Sequence, residues 1–448
     1  MMKKRYILLF YALFNFIAWN YFGLALIVVI GLSFYYLKII ELKKWHHKLL
    51  LIFILTFIFN ISSTFWLLKT SWWESLLAFL VNSGLMLIPL FLALNFKNKI
   101  FYSYTFFWIS FEMFHANWDF SWPWLTFGNA LGNLHFLVQW YSVLGVYGGS
   151  LWLILLGYFL YKIILDNNSR KTIFQFFSLL LIPSIISLLM YSFEFSEKEE
   201  PLKIITYITL DDKESNYEKI KKLFLKIKNK PELDFLISPE IFLSKTNLSN
   251  LKEKEESIYL KKIIRTFPST NILWGVELIN KKQQLFNTIM YSKNGSYSFR
   301  TKKKYVPFRE YVPSILRDLI GANFYTKNII DNHNYIISET KIFPILCYES
   351  IFSSFVARNS INSKAIFLLA SEEFMNKSYF GKKQYLNIVR LRAIENKRYL
   401  LKCSTTNGIS CIINEKGDVT KYISKDVDTF NLPSIKDNSI YQIIISSI

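Results

Sequence analysis

The chain has 448 residues, of which 52% are hydrophobic and 18% aromatic, and its apolar stretches are concentrated in the first two hundred positions. This distribution excludes a wholly soluble protein and predicts a membrane part followed by a separate soluble part. The formal net charge of +20 comes from lysines scattered among Ile, Asn and Phe, without the basic stripe of a nucleic-acid-binding protein. Three cysteines, Cys347, Cys403 and Cys411, are an odd number and exclude a framework of paired disulfides.

The first 195 residues predict a polytopic α-helical membrane domain. Seven apolar segments have roughly the 17 to 25 residues that a bilayer core requires: 6–22, 24–40, 49–68, 75–95, 100–116, 142–164 and 172–193. Lys and Arg are concentrated in alternate connecting segments, which are therefore expected in the cytoplasm. An odd number of spans that starts inside places everything after residue 195 on the outer side of the membrane.

The region 111–150 is too polar and too rich in glycine for a simple span, and it predicts an amphipathic or re-entrant segment. Glu112 lies at the end of the preceding apolar run. Two interpretations stay open for it: a functional intramembrane carboxylate, or an interfacial side chain that extends to water.

A charged segment at 196–201 predicts a linker, and the pattern changes after it. Short apolar runs predict buried strands, and they alternate with helical stretches at 217–229 and 382–398, which indicates an α/β domain. Asn-Gly pairs at 294–295 and 407–408 predict two hairpins. We predict this catalytic domain over 202–430, followed by a tail at 431–448 without a clear eighth span.

Three polar residues follow apolar or alternating runs and are expected at one edge of a sheet: Glu240, Lys302 and Cys347. His333 is the one histidine after residue 200, so a Ser-His-Asp hydrolase is poorly supported. A carboxylate base, a cysteine nucleophile and a lysine that stabilises an oxyanion can perform acyl transfer without histidine. For Cys347 alone, a small buried side chain is the simpler interpretation.

The ordered motifs resemble those of the nitrilase superfamily, and more narrowly its membrane-bound apolipoprotein N-acyltransferase family. They are Pro-Glu at 239–240, Lys302 followed by Val-Pro-Phe-x-Glu at 306–310, and Cys-Tyr-Glu at 347–349. The segments RLRAIENKRYLLKCSTTNGISCIINEKGDV at 390–419, NWDFSWPWLTFGN at 117–129 and GVYGGSLW at 145–152 extend the resemblance over nearly the whole chain. The resemblance implies an αββα sandwich for the soluble domain.

The resemblance also implies a function in lipoprotein maturation. Cys347 would accept an acyl chain from a phospholipid as a thioester and release it to the α-amino group of an N-terminal diacylglyceryl-cysteine. Glu240 would be the general base and Lys302 the oxyanion partner, selected over its two lysine neighbours by its eight-residue spacing from Glu310.

Supporting roles follow from the same match. Glu310 would orient Lys302 and carry protons, while Tyr348 and Glu349 would shape the pocket. The implied enzyme is a monomer in the bacterial inner membrane, with its catalytic domain on the periplasmic side. Its partners are the bilayer, a phospholipid and a diacylated apolipoprotein, without nucleic acid, metal or organic cofactor.

The sequence departs from the family pattern at two loops. Arg309 stands where the family has glycine, and SEEFM at 371–375 stands where it has Asn-Asp-x-Trp. These changes leave two alternatives open: a membrane-tethered amidase or hydrolase of the nitrilase type, and a catalytically silent lipoprotein-binding protein. Cys403 and Cys411 are expected in the sheet core, with a disulfide between them as the alternative.

Overall fold

A computed structural model describes most of the chain, and all statements below concern the residues that it describes. These are 4–21, 24–32, 44–96, 99–165, 169–193, 198–207, 214–230, 233–247, 255–313, 325–326, 341–375, 378–405, 407–424, 427–435 and 437–448. The chain divides into two compact units. Unit one holds Met1–Phe195 and Ser378–Leu391, and unit two holds Ser196–Lys377 and Arg392–Ile448. His333 and much of the predicted span 24–40 lie outside the described residues.

Unit one is helical. Its helices are Lys4–Asn20, Trp45–Thr64, Trp72–Leu85, Ile88–Ala93, Ile100–His115, Tyr141–Leu165 and Arg170–Ser192. Four helical segments among the described residues have the length and apolar composition to cross a membrane: Trp45–Lys69, Trp72–Ala93, Tyr141–Leu165 and Arg170–Ser192. The chain therefore has the helices of a membrane protein, while the count of seven spans stays a prediction.

The region that follows residue 115 folds into a short 3-10 helix, Pro123–Leu125, and a longer one, Phe127–Leu137, which is kinked at Leu134. Glu112 is buried, and its Oε1 accepts hydrogen bonds from Trp108 Nε1 at 3.0 Å and from the Phe127 backbone N at 2.9 Å. The Glu112 side chain thus binds the first N–H of the second 3-10 helix. The interpretation of Glu112 as a side chain that extends to water is wrong, because these buried donors hold it inside the unit.

One helix of unit one comes from late in the sequence. Helix Tyr379–Asn396, called here the returning helix, belongs to unit one through Leu391 and to unit two from Arg392. Gln384 on this helix is buried, and its Oε1 accepts from Trp66 Nε1 at 3.0 Å and Trp124 Nε1 at 2.9 Å. Its Nε2 donates to Asn20 Oδ1 at 2.9 Å and to the Ser63 carbonyl at 2.7 Å. A single amide therefore satisfies four buried polar groups, which makes this position costly to change.

Unit two contains two mixed β-sheets. The strands are β1 (Lys198–Tyr207), β2 (Phe235–Ile237), β3 (Leu243–Asn247), β4 (Asn271–Ile279), β5 (Leu285–Lys293), β6 (Ser296–Thr301), β7 (Ile342–Leu346), β8 (Ala365–Ala370), β9 (Tyr399–Ser404), β10 (Cys411–Ile413), β11 (Val419–Tyr422) and β12 (Val427–Ile435). The first sheet has the order β12-β1-β2-β4-β5-β6 with β3 beside β4, and the second has the order β11-β10-β9-β8-β7. The hairpins predicted at 294–295 and 407–408 are confirmed as β5–β6 and β9–β10.

The two sheets pack face to face through one apolar core. This core joins residues of both sheets, among them Phe235, Ile237, Leu273, Leu346, Phe367 and Leu401. The opposite face of the first sheet packs on helices Asn216–Ile227 and Glu255–Thr266. These contacts form a helix–sheet–sheet arrangement, which corresponds to three of the four layers of the predicted αββα class, and they bury apolar side chains on both faces of the first sheet.

Two boundaries differ from the prediction. Strand β1 begins at Lys198, inside the expected linker 196–201, and it pairs with β12 from Lys198↔Ile435 to Tyr207↔Val427. Residues 431–448 hold the end of β12 and helix Ile440–Ser447, which both belong to unit two. The pairing of β1 with β12 joins segments more than two hundred positions apart, which no local pattern indicates.

Candidate active site

Glu240 lies just beyond the carboxyl end of β2, and the neighbouring strand β4 holds it in place. The side chain is 2% exposed. A Cβ on Gly275 of β4 would lie 2.0 Å from the Pro239 carbonyl oxygen and 2.6 Å from Glu240 Cα, so only glycine permits this close approach of the two backbones. The Gly275 N–H also donates to Ser238 Oγ at 3.2 Å. The glycine therefore brings the Glu240 backbone against the centre of the sheet.

Lys302 follows β6 and brings its ammonium to two carboxylates. Its Nζ lies 2.8 Å from Glu240 Oε1 and 2.7 Å from Glu310 Oε1, and the side chain is buried. Burial lowers the pKa of Lys302, but the charges of Glu240 and Glu310 outweigh it, so the pKa is raised well above its ordinary value. Lys302 is thus protonated at neutral pH.

Glu310 is held by the tight loop that precedes it. Its Oε2 accepts from the Val306 N–H at 2.8 Å, and Phe308 in the same loop has a φ of +61°. Burial raises the pKa of Glu310, and the nearby Lys302 ammonium opposes this increase. Glu310 therefore retains a proton to a higher pH than an exposed glutamate would.

Asn287 was not identified from the sequence, although it contacts both carboxylates. It lies in β5 and is fully buried, and its Nδ2 donates to Glu240 Oε1 at 2.8 Å and approaches Glu310 Oε1 at 3.5 Å. The backbone carbonyl oxygen of Asn287 also accepts from the Lys302 backbone N at 2.8 Å. An asparagine inside a run that predicts a buried strand was the available signal, because buried polar groups need partners.

Cys347 is the first residue after β7, and it has an unusual backbone conformation. Its φ of +30° lies in the left-handed region that disfavours residues with a Cβ, and such strain is often found at functional sites. The thiol is buried, and Sγ donates to the Ser371 carbonyl oxygen at 3.4 Å. Burial first, and then the negative charge of Glu240, raise the pKa of the Cys347 thiol, so the resting sulfur is protonated.

The backbone of Ser371, the first residue after β8, touches both the nucleophile candidate and the base candidate. While its carbonyl accepts from Cys347, its N–H donates to Glu240 Oε2 at 3.0 Å. Strands β7 and β8 are parallel and adjacent, so their carboxyl ends bring Cys347 and Ser371 to the same sheet edge. The three residues predicted from strand ends are thereby linked: Lys302 contacts Glu240, and Ser371 connects Glu240 to Cys347.

Tyr348 and Glu349 follow Cys347 and are both buried. Glu349 accepts from the Leu346 N–H at 2.8 Å, the Lys303 N–H at 2.7 Å and Arg300 Nη2 at 2.9 Å. It therefore connects the turn that carries Cys347 to the segment that carries Lys302. Burial raises the pKa of Tyr348 well above its ordinary value, so its hydroxyl keeps its proton.

The arrangement is suited to nucleophilic acyl transfer. A carboxylate, an ammonium and a protonated thiol are collected in a buried site, where electrostatic interactions are strong. The described part of the chain contains no group of three or more His, Cys, Asp or Glu side chains that could hold a metal ion. None of the three cysteines, all of them in described segments, forms a disulfide, so the alternative of a Cys403–Cys411 bond is wrong.

Comparison with known proteins gives two family matches along the chain. The family model described as "Apolipoprotein N-acyltransferase N-terminal domain" matches residues 11–159. The family model described as "Carbon-nitrogen hydrolase" matches residues 205–443, which is more than half of the chain. The apolipoprotein N-acyltransferase of Rickettsia bellii is 25% identical over 420 residues, which cover 85% of this chain and 81% of that protein. The protein of the same name from Wigglesworthia glossinidia brevipalpis is 25% identical over 355 residues, with coverage of 73% and 68%.

Among solved structures, a CN-hydrolase superfamily protein from Xanthomonas campestris matches with a TM-score of 0.40 and 15% identity, covering 52% of this chain and 91% of that chain.

Proposed function

Because the chain belongs to the apolipoprotein N-acyltransferase family of carbon–nitrogen hydrolases, we propose that it transfers an acyl chain from a phospholipid to an apolipoprotein through a thioester on Cys347. The family supports lipoprotein N-acylation, and the proposal adds the donor, the intermediate and the residues. The observation that carries it is the backbone of Ser371, whose carbonyl contacts the Cys347 thiol and whose N–H contacts the Glu240 carboxylate.

In the first half-reaction, Cys347 Sγ attacks the carbonyl carbon of a phospholipid ester while the Glu240 carboxylate takes the thiol proton. The raised pKa of Cys347 favours this concerted removal over a preformed thiolate. The Lys302 ammonium stabilises the negative charge that develops on the carbonyl oxygen. The carbon–oxygen bond then breaks, Glu240 returns its proton to the leaving lysophospholipid oxygen, and the acyl group remains on sulfur.

In the second half-reaction, the α-amino group of an N-terminal diacylglyceryl-cysteine attacks the thioester carbonyl. Glu240 accepts a proton from the amine as the carbon–nitrogen bond forms, and the sulfur leaves and regains a proton. A thioester is a better acyl donor to an amine than an oxygen ester is, so dividing the transfer into two steps lowers each barrier. The products are a triacylated N-terminus and the free thiol of Cys347.

The other residues of the site would hold these groups in place. Glu310 orients the Lys302 ammonium and, with its raised pKa, exchanges protons with the site. Glu349 fixes the turn that carries Cys347, and Tyr348 contributes a buried wall beside it. No metal or organic cofactor takes part in this proposal.

We also propose a cellular location and a membrane orientation for the protein. Seven spans hold the protein in the bacterial inner membrane as a monomer, with the catalytic domain, predicted over 202–430, on the periplasmic side. Both substrates carry acyl chains, so they reach the site from the bilayer. The four long apolar helices support the membrane part of this proposal.

The first test uses the purified protein in lipid without an acceptor. Intact mass and peptide mapping should reveal an acyl adduct on Cys347 that hydroxylamine removes, and a diacylated cysteine peptide should discharge it and become triacylated. Cys347→Ser should form no adduct and keep the fold, since the volumes are close and a hydroxyl is far less nucleophilic at neutral pH. Cys403→Ser, at another buried cysteine, is the matched control and should form the adduct normally.

Each alternative function has its own outcome in this experiment. An adduct that is lost only to water, even with the peptide present, indicates a hydrolase. No adduct on folded protein in lipid indicates a lipoprotein-binding protein. Normal transfer by Cys347→Ser refutes the thioester mechanism.

A further inference from the structure

The loop after β8 contains a buried ion pair that the proposed chemistry does not use. In this loop, residues 371–375, the carboxylate of Glu372 contacts the ammonium of Lys402 in β9, and both side chains are fully buried. This is the loop where SEEFM departs from the family pattern. A charge placed here at the cost of its hydration calls for an explanation, because buried ion pairs often stabilise a fold no more than an apolar pair would.

Hydrogen bonds from the end of β9 and from the loop after it also hold the Glu372 carboxylate. Its Oε1 accepts from Ser404 Oγ at 3.2 Å and from the Ile409 N–H at 3.2 Å, while Lys402 Nζ donates to the Ile409 carbonyl at 2.7 Å. Gly408 permits this packing, because a Cβ there would lie 1.9 Å from Ser404 Oγ and 3.1 Å from Glu372 Oε1. The ion pair therefore joins the loop after β8 firmly to the loop after β9.

The residue next to Glu372 is Ser371, whose backbone N–H and carbonyl contact Glu240 and Cys347, respectively. Consecutive Cα atoms are about 3.8 Å apart, so a movement of Glu372 is transmitted directly to the Ser371 backbone. The N–H of Ser371 sets the position of one Glu240 oxygen, and its carbonyl sets the direction of the Cys347 thiol. Displacement of this one residue's backbone would change the positions of base and nucleophile together.

We propose that the Glu372–Lys402 ion pair positions the backbone of Ser371 and thereby aligns Glu240 with Cys347. Glu372 and Lys402 touch no reacting atom, so they are positioning residues and not catalytic ones. The inference rests on the proposed function for the roles of Glu240 and Cys347. The buried charges fix the backbone of this loop from inside unit two.

The test compares Glu372→Gln, Lys402→Met and the double variant with the wild type. The control is Glu373→Gln, the same chemical change at the next, exposed position. The main readout is the rate of Cys347 alkylation by iodoacetamide per folded molecule, followed by peptide mapping well below the unfolding temperature. Since a displacement of about 1 Å can cost about 100-fold in rate, we expect each single variant to slow alkylation at least tenfold and the control to stay within twofold.

The double variant separates positioning from stability. Glu372→Gln alone leaves the Lys402 ammonium buried without its counter-charge, whereas the double variant removes both charges and should regain much of the lost thermal stability. We expect its alkylation to remain at least tenfold slow despite this recovery. The inference is overturned if, in the double variant, both the alkylation rate and the unfolding temperature return to the wild-type values. It is also overturned if the folded single variants are alkylated at the wild-type rate.

The acyl-adduct assay on the same proteins separates this inference from the proposed function. If the wild type forms no adduct and Glu372→Gln still slows alkylation, the proposed function fails and the positioning role stands. If the wild type forms the adduct and Glu372→Gln forms it equally fast, the positioning role fails and the function stands. If the proposed function and the positioning role are both correct, kcat for transfer by Glu372→Gln should fall at least tenfold while its KM for phospholipid stays within twofold.

Discussion

Lys302→Met removes the cation from the centre of the site and leaves its apolar stem. The ammonium makes two charge-assisted hydrogen bonds, 2.8 Å to Glu240 and 2.7 Å to Glu310, and all three groups are largely shielded from water. Such bonds stabilise by about 1.5–3 kcal/mol each, and removal of one partner from a buried ion pair costs about 3–5 kcal/mol. We therefore expect the free energy of unfolding of unit two to fall by about 3–5 kcal/mol at pH 8.

The loss should depend on pH in a defined direction. Without Lys302, the carboxylates of Glu240 and Glu310 share a buried site, so the pKa of Glu310, already raised by burial, rises further. A carboxyl group with a raised pKa in the folded state contributes stability below its unfolded pKa and loses that contribution as the pH increases. The destabilisation by Lys302→Met should therefore be largest at pH 8 and smaller at pH 5.

The assay is protease sensitivity of the detergent-solubilised protein as a function of urea, with cleavage mapped to unit two. For a slope of at most about 3 kcal/mol per molar urea, the midpoint should fall by at least about 1 M at pH 8. Lys303→Met, at the next and half-buried position, is the control, with an expected loss below about 1 kcal/mol. An unchanged midpoint for Lys302→Met at pH 8, or a loss that grows on acidification, would refute the reasoning.

Three further predictions concern the sulfur, the sheet and unit one. Alkylation of Cys347 should keep accelerating above pH 9, because burial and the charge of Glu240 raise its pKa; a plateau below pH 9 would contradict this. Gly275→Ala should reduce acyl-adduct formation by about 100-fold, because the methyl would lie 2.0 Å from the Pro239 carbonyl. Gly84→Ala, where a Cβ meets nothing within 4 Å, should retain it. Gln384→Leu should destabilise unit one by at least about 2 kcal/mol, visible as a lower unfolding temperature, since four buried hydrogen bonds are lost.

Local patterns were sufficient to predict the elements and the principal site residues. Apolar runs with turn signals correspond to strands such as β4 and β8, and the Asn294–Gly295 pair forms a hairpin with positive φ at both residues. The end of a buried strand is a place where side chains meet at one sheet edge, which is why Glu240 and Cys347 could be selected from sequence. The spacing of Lys302 from Glu310 agrees with their direct contact.

Contacts between distant segments could not be predicted in this way. Asn287 contacts the site from the interior of a strand, and Ser371 contacts it through its backbone. Because every residue other than proline has the same backbone groups, the residue type gives no indication of such a backbone contact. Glu372 looked like a loop residue near the pocket, whereas it is buried against Lys402. Strand β12 pairs with β1 although about 220 positions separate them in sequence, and no local pattern indicates such a pairing.

The returning helix also has a consequence for biosynthesis. Gln384 lies more than three hundred positions later in the sequence than Trp66. It accepts the indole N–H groups of Trp66 and Trp124 and donates to Asn20 and Ser63. While the ribosome is still translating unit two, these early helices lack that partner. Unit one can reach its final packing only after residues 378–391 have been synthesised, so a nascent chain arrested before this point should expose its membrane helices to proteolytic quality control.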